Sequence, residues 1–248
     1  MNKIISILNQ KGGVGKSNVT TLLANIFYFY FGWKVAVIDC DFPQHTIAKK
    51  RKRELQVVEN NPHLKKAYEK IYATKNLYPI IPTDLSSFEL ALAELDKEDY
   101  DFIFFDIKGT MAQENIVAFL KSVNIFLIPV LQEETAIISS LEFYQSLQVR
   151  IKPVSANFEY CSLFFNLVPR TNNLHKLLPA LSAKFTFLPS YLKRYTIFQN
   201  EFHSTIFPIA NHRIRDLKAR ENLFDFAHVI KDELEQYYVA APSTVLVN

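Results

Sequence analysis

The 248-residue sequence contains only two cysteines, two methionines, one tryptophan and five glycines. Both cysteines, Cys40 and Cys161, lie in apolar runs, which favours small buried hydrophobic residues over a redox pair. No cysteine and histidine cluster has zinc-site spacing, so a structural metal is not indicated. No apolar run reaches the ~20 residues that a membrane-spanning helix needs, and no signal-peptide pattern precedes the first apolar run. We therefore expect a cytoplasmic protein.

Internal repeats, flexible linkers and low-complexity tracts are also missing. Apolar residues make up 49% of the chain and charged residues 21%, which excludes disorder as the main state. The length fits one α/β domain, which we place at residues 1–240, followed by a frayed tail at 241–248. The net charge of +3 is too small by itself to indicate an anionic partner.

Short apolar runs alternate with segments of helical period. Strands are predicted at 3–8, 34–39, 77–81, 101–105, 124–129 and 160–167, and helices at 18–31, 86–95, 113–121, 133–149 and 213–238. The strands are apolar on both faces, which is typical of a parallel sheet covered by helices on each side. We expect an α/β fold with a doubly wound, mostly parallel sheet.

The stretch NQKGGVGKS, residues 9–17, carries most of the functional information. It lies between the first predicted strand and the first predicted helix, where a glycine-rich turn forms a phosphate cradle. Lys16 supplies a charge for the β- and γ-phosphates, and the Ser17 hydroxyl can bind Mg²⁺. The predicted nucleotide contacts are Gly12, Gly13, Val14, Gly15, Lys16, Ser17 and Asn18.

This loop departs from the standard P-loop because Gln10 replaces a glycine and Lys11 adds a second lysine. It resembles the deviant Walker A motif of the ParA/MinD group of P-loop ATPases, and ParA most closely. The resemblance implies ATP and Mg²⁺ as ligands, a homodimer formed on ATP binding, and Lys11 acting on the facing subunit. It also implies nonspecific DNA and a ParB-like adaptor protein as partners, in the segregation of a plasmid or mobile element. No membrane partner is expected, because the ending YYVAAPSTVLVN has no lysine or arginine.

Two carboxylates lie at the end of the second predicted strand, in the stretch DCDFPQ. ParA-like proteins carry D-x-D-P-Q here, so Phe42 is an insertion. The resemblance implies that Asp41 positions or activates the attacking water and that Asp39 supports Mg²⁺ through water. The alternative is that the pair caps the following helix.

Asp106 and Gly109 follow the strand YDFIFF, in the arrangement of a Walker B motif. The Asp106 carboxylate is predicted to help hold Mg²⁺, and the Gly109 backbone N–H to sense the γ-phosphate. Family members often have proline after this aspartate, so Lys108 is a departure that concerns the conformation of the loop.

Two further positions resemble those that contact the base in relatives. Asn166 can donate to N7 of adenine and accept from its exocyclic amine, although a loop-capping role is an open alternative. Pro189 lies where relatives place a residue against the adenine face. No N/T-K-x-D guanine motif is present, so the sequence favours ATP over GTP.

Basic residues form two groups, and the resemblance to ParA favours DNA binding over a solvated surface for the C-terminal one. Its predicted DNA contacts are Arg213, Arg215, Lys218 and Arg220, with Lys193 and Arg194 nearby. The earlier group is a run of five, for which DNA, a partner or solubility are open roles: Lys49, Lys50, Arg51, Lys52 and Arg53.

Two other functions stay open. A MinD-like ATPase of the membrane surface would need a basic amphipathic C-terminal helix, whereas the ending YYVAAPSTVLVN has no lysine or arginine and contains Pro242. A small-molecule phosphoryl-transfer or ligase enzyme on the same fold would not require Lys11.

Overall fold

A computed structural model describes residues 2–96, 98–108, 115–200, 204–209 and 217–236. Within these ranges the strands are β1 (Lys3–Ile7), β2 (Val35–Cys40), β3 (Ile80–Pro82), β4 (Phe102–Ile107), β5 (Ile125–Val130) and β6 (Tyr160–Phe165). The helices are α1 (Lys16–Phe29), α2 (Thr46–Glu59), α3 (Pro62–Tyr72), α4 (Phe88–Leu95), α5 (Ile116–Ser122), α6 (Glu134–Ser146), α7 (Leu174–Ser182), α8 (Ile197–Asn200) and α9 (Leu217–Glu235).

The six described strands form one parallel sheet in the order β3-β2-β4-β1-β5-β6. Every residue of β2, β4, β5 and β6 is buried, as a sheet covered on both faces requires. One core lies between the sheet and α1 and α9, and a second lies on the opposite face with α4 to α7. The predicted doubly wound α/β fold is therefore confirmed.

Strand boundaries differ from the predictions for local reasons. The strand predicted at 77–81 begins only at Ile80, because Pro79 has no N–H to give to a neighbouring strand, although its carbonyl accepts from the Val37 N–H at 3.0 Å. The strand predicted at 160–167 ends at Phe165, before Leu167 adopts a left-handed backbone with φ of 55°.

The described part of the chain bears on the two cysteines and on membrane-spanning helices. Cys40 and Cys161 are both buried and unpaired, which confirms their interpretation as core residues, and burial raises the pKa of each thiol. Among the described helices, none combines the length and hydrophobicity that crossing a bilayer requires. The predicted tail at 241–248 lies outside the described residues.

Candidate nucleotide-binding site

The predicted motifs meet at the carboxyl edge of the sheet, where α/β proteins bind their ligands. The P-loop leaves β1, whose neighbour β4 carries Asp106, and β2 beyond it carries Asp39. Asp39 and Asp106 are direct partners in the β2–β4 register. The strand order thus places both carboxylates beside the loop.

Two glycines let the loop turn. Gly13 and Gly15 have φ of 73° and 88°, in the left-handed region that favours glycine. A Cβ on Gly15 would also lie 2.6 Å from the Asn166 amide nitrogen. Gly15 is therefore required both by its backbone conformation and by the residue packed against it.

The buried side-chain amide of Asn9 holds the beginning of the loop. The Asn9 amide donates to the Pro129 carbonyl at 2.8 Å and to the Ser140 hydroxyl at 2.9 Å, while its oxygen accepts from the Lys11 N–H at 2.9 Å. The sequence analysis did not identify Asn9, although a polar residue at the end of an apolar strand was an available signal. The loop is thereby attached to β5 and α6 before any ligand binds.

Lys16, the first residue of α1, lies over the loop. Its ammonium group donates to the Lys11 carbonyl at 3.2 Å. Burial lowers the pKa of this lysine, while the negative charges of Asp106 and Asp41 act in the opposite direction. A phosphate arriving at the loop would supply the negative charge that this half-buried ammonium group lacks.

Asp106 is the most unusual group in the site. It is 0% exposed, and by distance and angle neither carboxylate oxygen accepts a hydrogen bond within the described part of the chain, although the Ser17 hydroxyl lies close to it. Burial raises the pKa of Asp106 to about 7; the Ser17 hydroxyl and Lys16 lower it, and the carboxylates of Asp39 and Asp41 raise it further. A buried carboxylate without partners fits a cation ligand better than a structural role.

Asp39 is bound differently, as the cap of α2. One of its oxygens accepts from the backbone N–H groups of Ile47 and Ala48, both at 2.9 Å, and the other accepts from the Asp41 N–H at 3.3 Å. This is the capping alternative that the sequence left open. Asp39 holds the beginning of α2 in place, and its support of Mg²⁺ stays a prediction.

Asp41 is half-buried at the start of the loop that leads to α2. Its carboxylate accepts from the Thr46 hydroxyl at 3.2 Å, and its carbonyl accepts from the His45 N–H at 2.7 Å. His45 has a left-handed backbone with φ of 44°. Strained residues of this kind concentrate at functional sites.

Lys11 reaches away from the loop. Its ammonium group lies 3.3 Å from the Glu133 carboxylate, just before α6, and the two side chains are 35% and 69% exposed. A pair this exposed contributes about 0–1 kcal/mol. Lys11 can therefore exchange Glu133 for another anion at little cost.

The predicted base contacts lie beyond the loop. The Asn166 amide donates to the Val14 carbonyl at 2.8 Å, and its oxygen accepts from the Leu167 N–H at 2.9 Å. Pro189 is exposed in the turn after a segment that pairs with β6. In this structure Asn166 braces the P-loop, and Gly109, the predicted phosphate sensor, lies outside the described residues.

The C-terminal basic residues separate into different environments. Lys218 lines a pocket of about 310 Å³ with Arg170, Lys193 and Arg194, and no acidic residue is among its described lining. The Arg220 guanidinium lies 5.0 Å from the Phe224 ring centre and lowers the pKa of Tyr30, which burial raises. Arg213 and Arg215 lie outside the described residues.

Residues 5–184 match the family model described as the CobQ/CobB/MinD/ParA nucleotide binding domain. No curated protein matches the sequence.

Solved structures share the fold along most of the chain. A plasmid partition protein of Borrelia burgdorferi bound to AMPPNP has a TM-score of 0.63 at 20% identity, covering 94% of this chain and 99% of its own. The Pyrococcus furiosus cell division ATPase MinD has 0.64 at 16%, covering 94% and 100%. Cobyrinic acid a,c-diamide synthase of Mycobacterium smegmatis, with ADP and magnesium, has 0.57 at 15%, covering 96% and 97%. At such identities the likeness establishes the fold alone.

Proposed function

This chain belongs to the CobQ/CobB/MinD/ParA family of nucleotide-binding domains, and we propose that it is a magnesium-dependent ATPase of the ParA type. In this proposal ATP binding forms a homodimer, and hydrolysis switches nonspecific DNA binding during segregation of a plasmid or mobile element. The observation that carries it is the buried, unpartnered Asp106 carboxylate beside Lys16 at the end of a glycine cradle.

The residues present fit a magnesium site in which the protein supplies some of the ligands and the nucleotide phosphates supply the others. The described residues contain no cluster of three histidine, cysteine or acidic side chains that could hold a metal by themselves. Ser17 and Asp106 would hold the ion together with phosphate oxygens of the nucleotide, which is how Mg²⁺ is usually bound. Once bound, Mg²⁺ would neutralise phosphate charge and give the Asp106 carboxylate its missing partner.

In this proposal the protein promotes hydrolysis by positioning the phosphates and the attacking water and by stabilising the negative charge of the transition state, because phosphoryl transfer needs little covalent chemistry from the protein. The loop N–H groups and Lys16 would bind the phosphates, and Asp41 would orient the attacking water. Asp41 suits this role because its carboxylate is fixed by Thr46 yet is not fully buried. Asn166 and Pro189 would face the adenine.

In this proposal Lys11 links the two subunits of the dimer by contacting the nucleotide of the facing subunit. Its salt bridge with Glu133 is weak because both groups are exposed, so a γ-phosphate of a facing subunit can replace the carboxylate. A second positive charge at that position would stabilise the negative charge that develops during hydrolysis.

DNA binding is assigned to the pocket formed by Arg170, Lys193, Arg194 and Lys218, with Arg213 and Arg215 as predicted additions. Phosphate neutralisation needs only a positive patch, and two patches on one dimer multiply affinity through effective concentration. The ATP-bound dimer would then occupy the nucleoid in the cytoplasm, and a ParB-like adaptor that stimulates hydrolysis would release it.

The experiment is a titration of the protein with plasmid DNA and with anionic liposomes, each with and without ATP. The proposal expects DNA binding only with ATP, and no liposome binding. Liposome binding with ATP would favour a MinD-like enzyme, and binding to neither would favour a small-molecule enzyme.

Two variants complete this experiment. Lys16→Ala should bind neither nucleotide nor DNA, because the loop loses its phosphate charge. Asp41→Ala should bind ATP and DNA yet hydrolyse far more slowly and stay on DNA longer. Wild-type turnover in Asp41→Ala would refute its assignment to the attacking water.

A further inference from the structure

The positive charge of this protein is concentrated in one part of the fold, the hairpin formed by α2 and α3. Residues 46–75 contain nine lysines and arginines against three glutamates, a surplus of six positive charges. The remainder of the chain has 19 lysines and arginines against 22 aspartates and glutamates. Outside this hairpin, therefore, the chain is net acidic.

Some of the nine cations have structural roles. Arg51 donates to the Thr205 hydroxyl and carbonyl at 2.9 and 2.8 Å and to the Tyr78 carbonyl at 3.1 Å. Lys49 donates to the Pro43 carbonyl, and Lys75 lies 4.5 Å above the Tyr28 ring. Burial lowers the pKa of Lys50. Arg51 and Lys75 thus hold the hairpin against the rest of the domain.

The other five cations are exposed and have no recorded partner within the described part of the chain. They are Lys52, Arg53, Lys65, Lys66 and Lys70. Two of them lie on α2 and three on α3, and the two helices pack against each other. Lys66 and Lys70 lie four residues apart, about 6 Å along the helix axis, so their charges share one face.

The exposed side of the hairpin has little of the apolar surface that other partners require. Leu64, Tyr68 and Ile71 recur at helical spacing on α3 and are all partly buried, so the apolar stripe faces the protein. Val57 is the exposed large hydrophobic residue of the hairpin, at 56%. A membrane-surface helix needs an exposed apolar face, and a protein interface needs aromatic or apolar anchors.

Nucleic acid phosphates are the partner that needs charge alone. Duplex DNA presents one negative charge per about 1.7 Å of axis, and its binding is driven by lysine and arginine at phosphates rather than by apolar contact. We propose that Lys52, Arg53, Lys65, Lys66 and Lys70 of the α2–α3 hairpin form a DNA phosphate-binding surface. This inference rests on the proposed DNA-binding function and adds a surface distinct from the pocket around Lys218.

The base of this surface is connected to the nucleotide site. The first turn of α2 is bound by the Asp39 carboxylate, and α2 is attached to the segment 204–209 through Arg51 and through Glu54, which accepts from the Thr205 N–H at 2.8 Å. The hairpin is thus held in a fixed orientation relative to the P-loop.

The test compares two variants of equal charge change. The hairpin variant carries Lys52→Gln, Arg53→Gln, Lys65→Gln, Lys66→Gln and Lys70→Gln. The matched control replaces five exposed cations on other elements by glutamine: Lys121, Arg150, Lys152, Lys176 and Lys184. Thermal melts and binding of a fluorescent ATP analogue establish that both variants fold and bind nucleotide.

Binding of a nonspecific duplex to the AMPPNP-bound proteins is measured by anisotropy from about 50 to 200 mM salt. The proposal expects the log–log salt slope of the hairpin variant to become shallower by about one for each cation that contacts a phosphate, with the control slope close to the wild type. Where the fivefold variant does not fold, the triple α3 variant at Lys65, Lys66 and Lys70 gives the same comparison.

A hairpin variant that binds DNA with the wild-type affinity and slope overturns this inference and leaves the proposed function standing. The charge would then serve another partner, such as an acidic protein segment. If the wild type itself binds no DNA in any nucleotide state, the proposed function fails, and this inference fails with it.

Discussion

Replacing Asp106 by asparagine should make the nucleotide-free protein more stable at neutral and alkaline pH. Asparagine has nearly the shape of aspartate but carries no charge. The wild-type carboxylate is 0% exposed and has no hydrogen-bond partner among the described residues, so its ionised form is costly to bury. A catalytic or metal site commonly contains such a destabilising group.

The size of this stability difference follows from the pKa of Asp106, which burial raises from 3.8 to about 7. Between these values the folded protein binds a proton that the unfolded chain has released. The free energy of unfolding of the wild type therefore falls as the pH rises through this range, and it stays reduced above pH 7. From about pH 5 to 8 the wild type should lose roughly 2–3 kcal/mol more than Asp106→Asn, at about 1.4 kcal/mol per pKa unit.

Urea denaturation with EDTA, at several pH values, measures this difference. Asp99→Asn, at an exposed position, is the control and should follow the wild type. Addition of Mg-ATP should then stabilise the wild type far more than Asp106→Asn, because only the wild type can complete the site. Parallel stability profiles of wild type and Asp106→Asn would refute the assignment of Asp106 as a buried carboxylate that is costly to ionise.

Two other predictions concern Lys11 and Arg51. Lys11→Ala should bind ATP as a monomer without hydrolysing it, whereas Glu133→Gln should still dimerise, because their exposed salt bridge contributes at most about 1 kcal/mol; an ATP-bound dimer of Lys11→Ala in light scattering would contradict the role in trans. Arg51→Met should lower the free energy of unfolding by about 2–4 kcal/mol, since it removes the three hydrogen bonds that Arg51 donates to Thr205 and Tyr78. Lys52→Met on the same helix, where the side chain is exposed, should change it by less than about 0.5 kcal/mol, and equal urea midpoints for the two variants would disprove the difference.

The sequence by itself determined the class of fold and the phosphate-binding loop. Strands that lie under helices on both sides are apolar at nearly every position, so β2, β4 and β5 are visible as apolar runs. The loop is visible because its glycines have a local backbone requirement. The helices α2 and α3 have no comparable signal, since α3 has no fully buried residue and α2 has only Ile47 and Val58.

Only the tertiary structure decided what individual polar residues do. The run of five cations at 49–53 is uniform in sequence, yet Arg51 turns inward to Thr205 while Lys52 and Arg53 stay exposed. Asp39 and Asp106 both lie next to the last residue of an apolar strand, but the α2 backbone donates two hydrogen bonds to the first, whereas no described residue donates one of good geometry to the second. These differences depend on which distant groups the strand order and helix packing bring within hydrogen-bond distance, and local sequence does not contain that information.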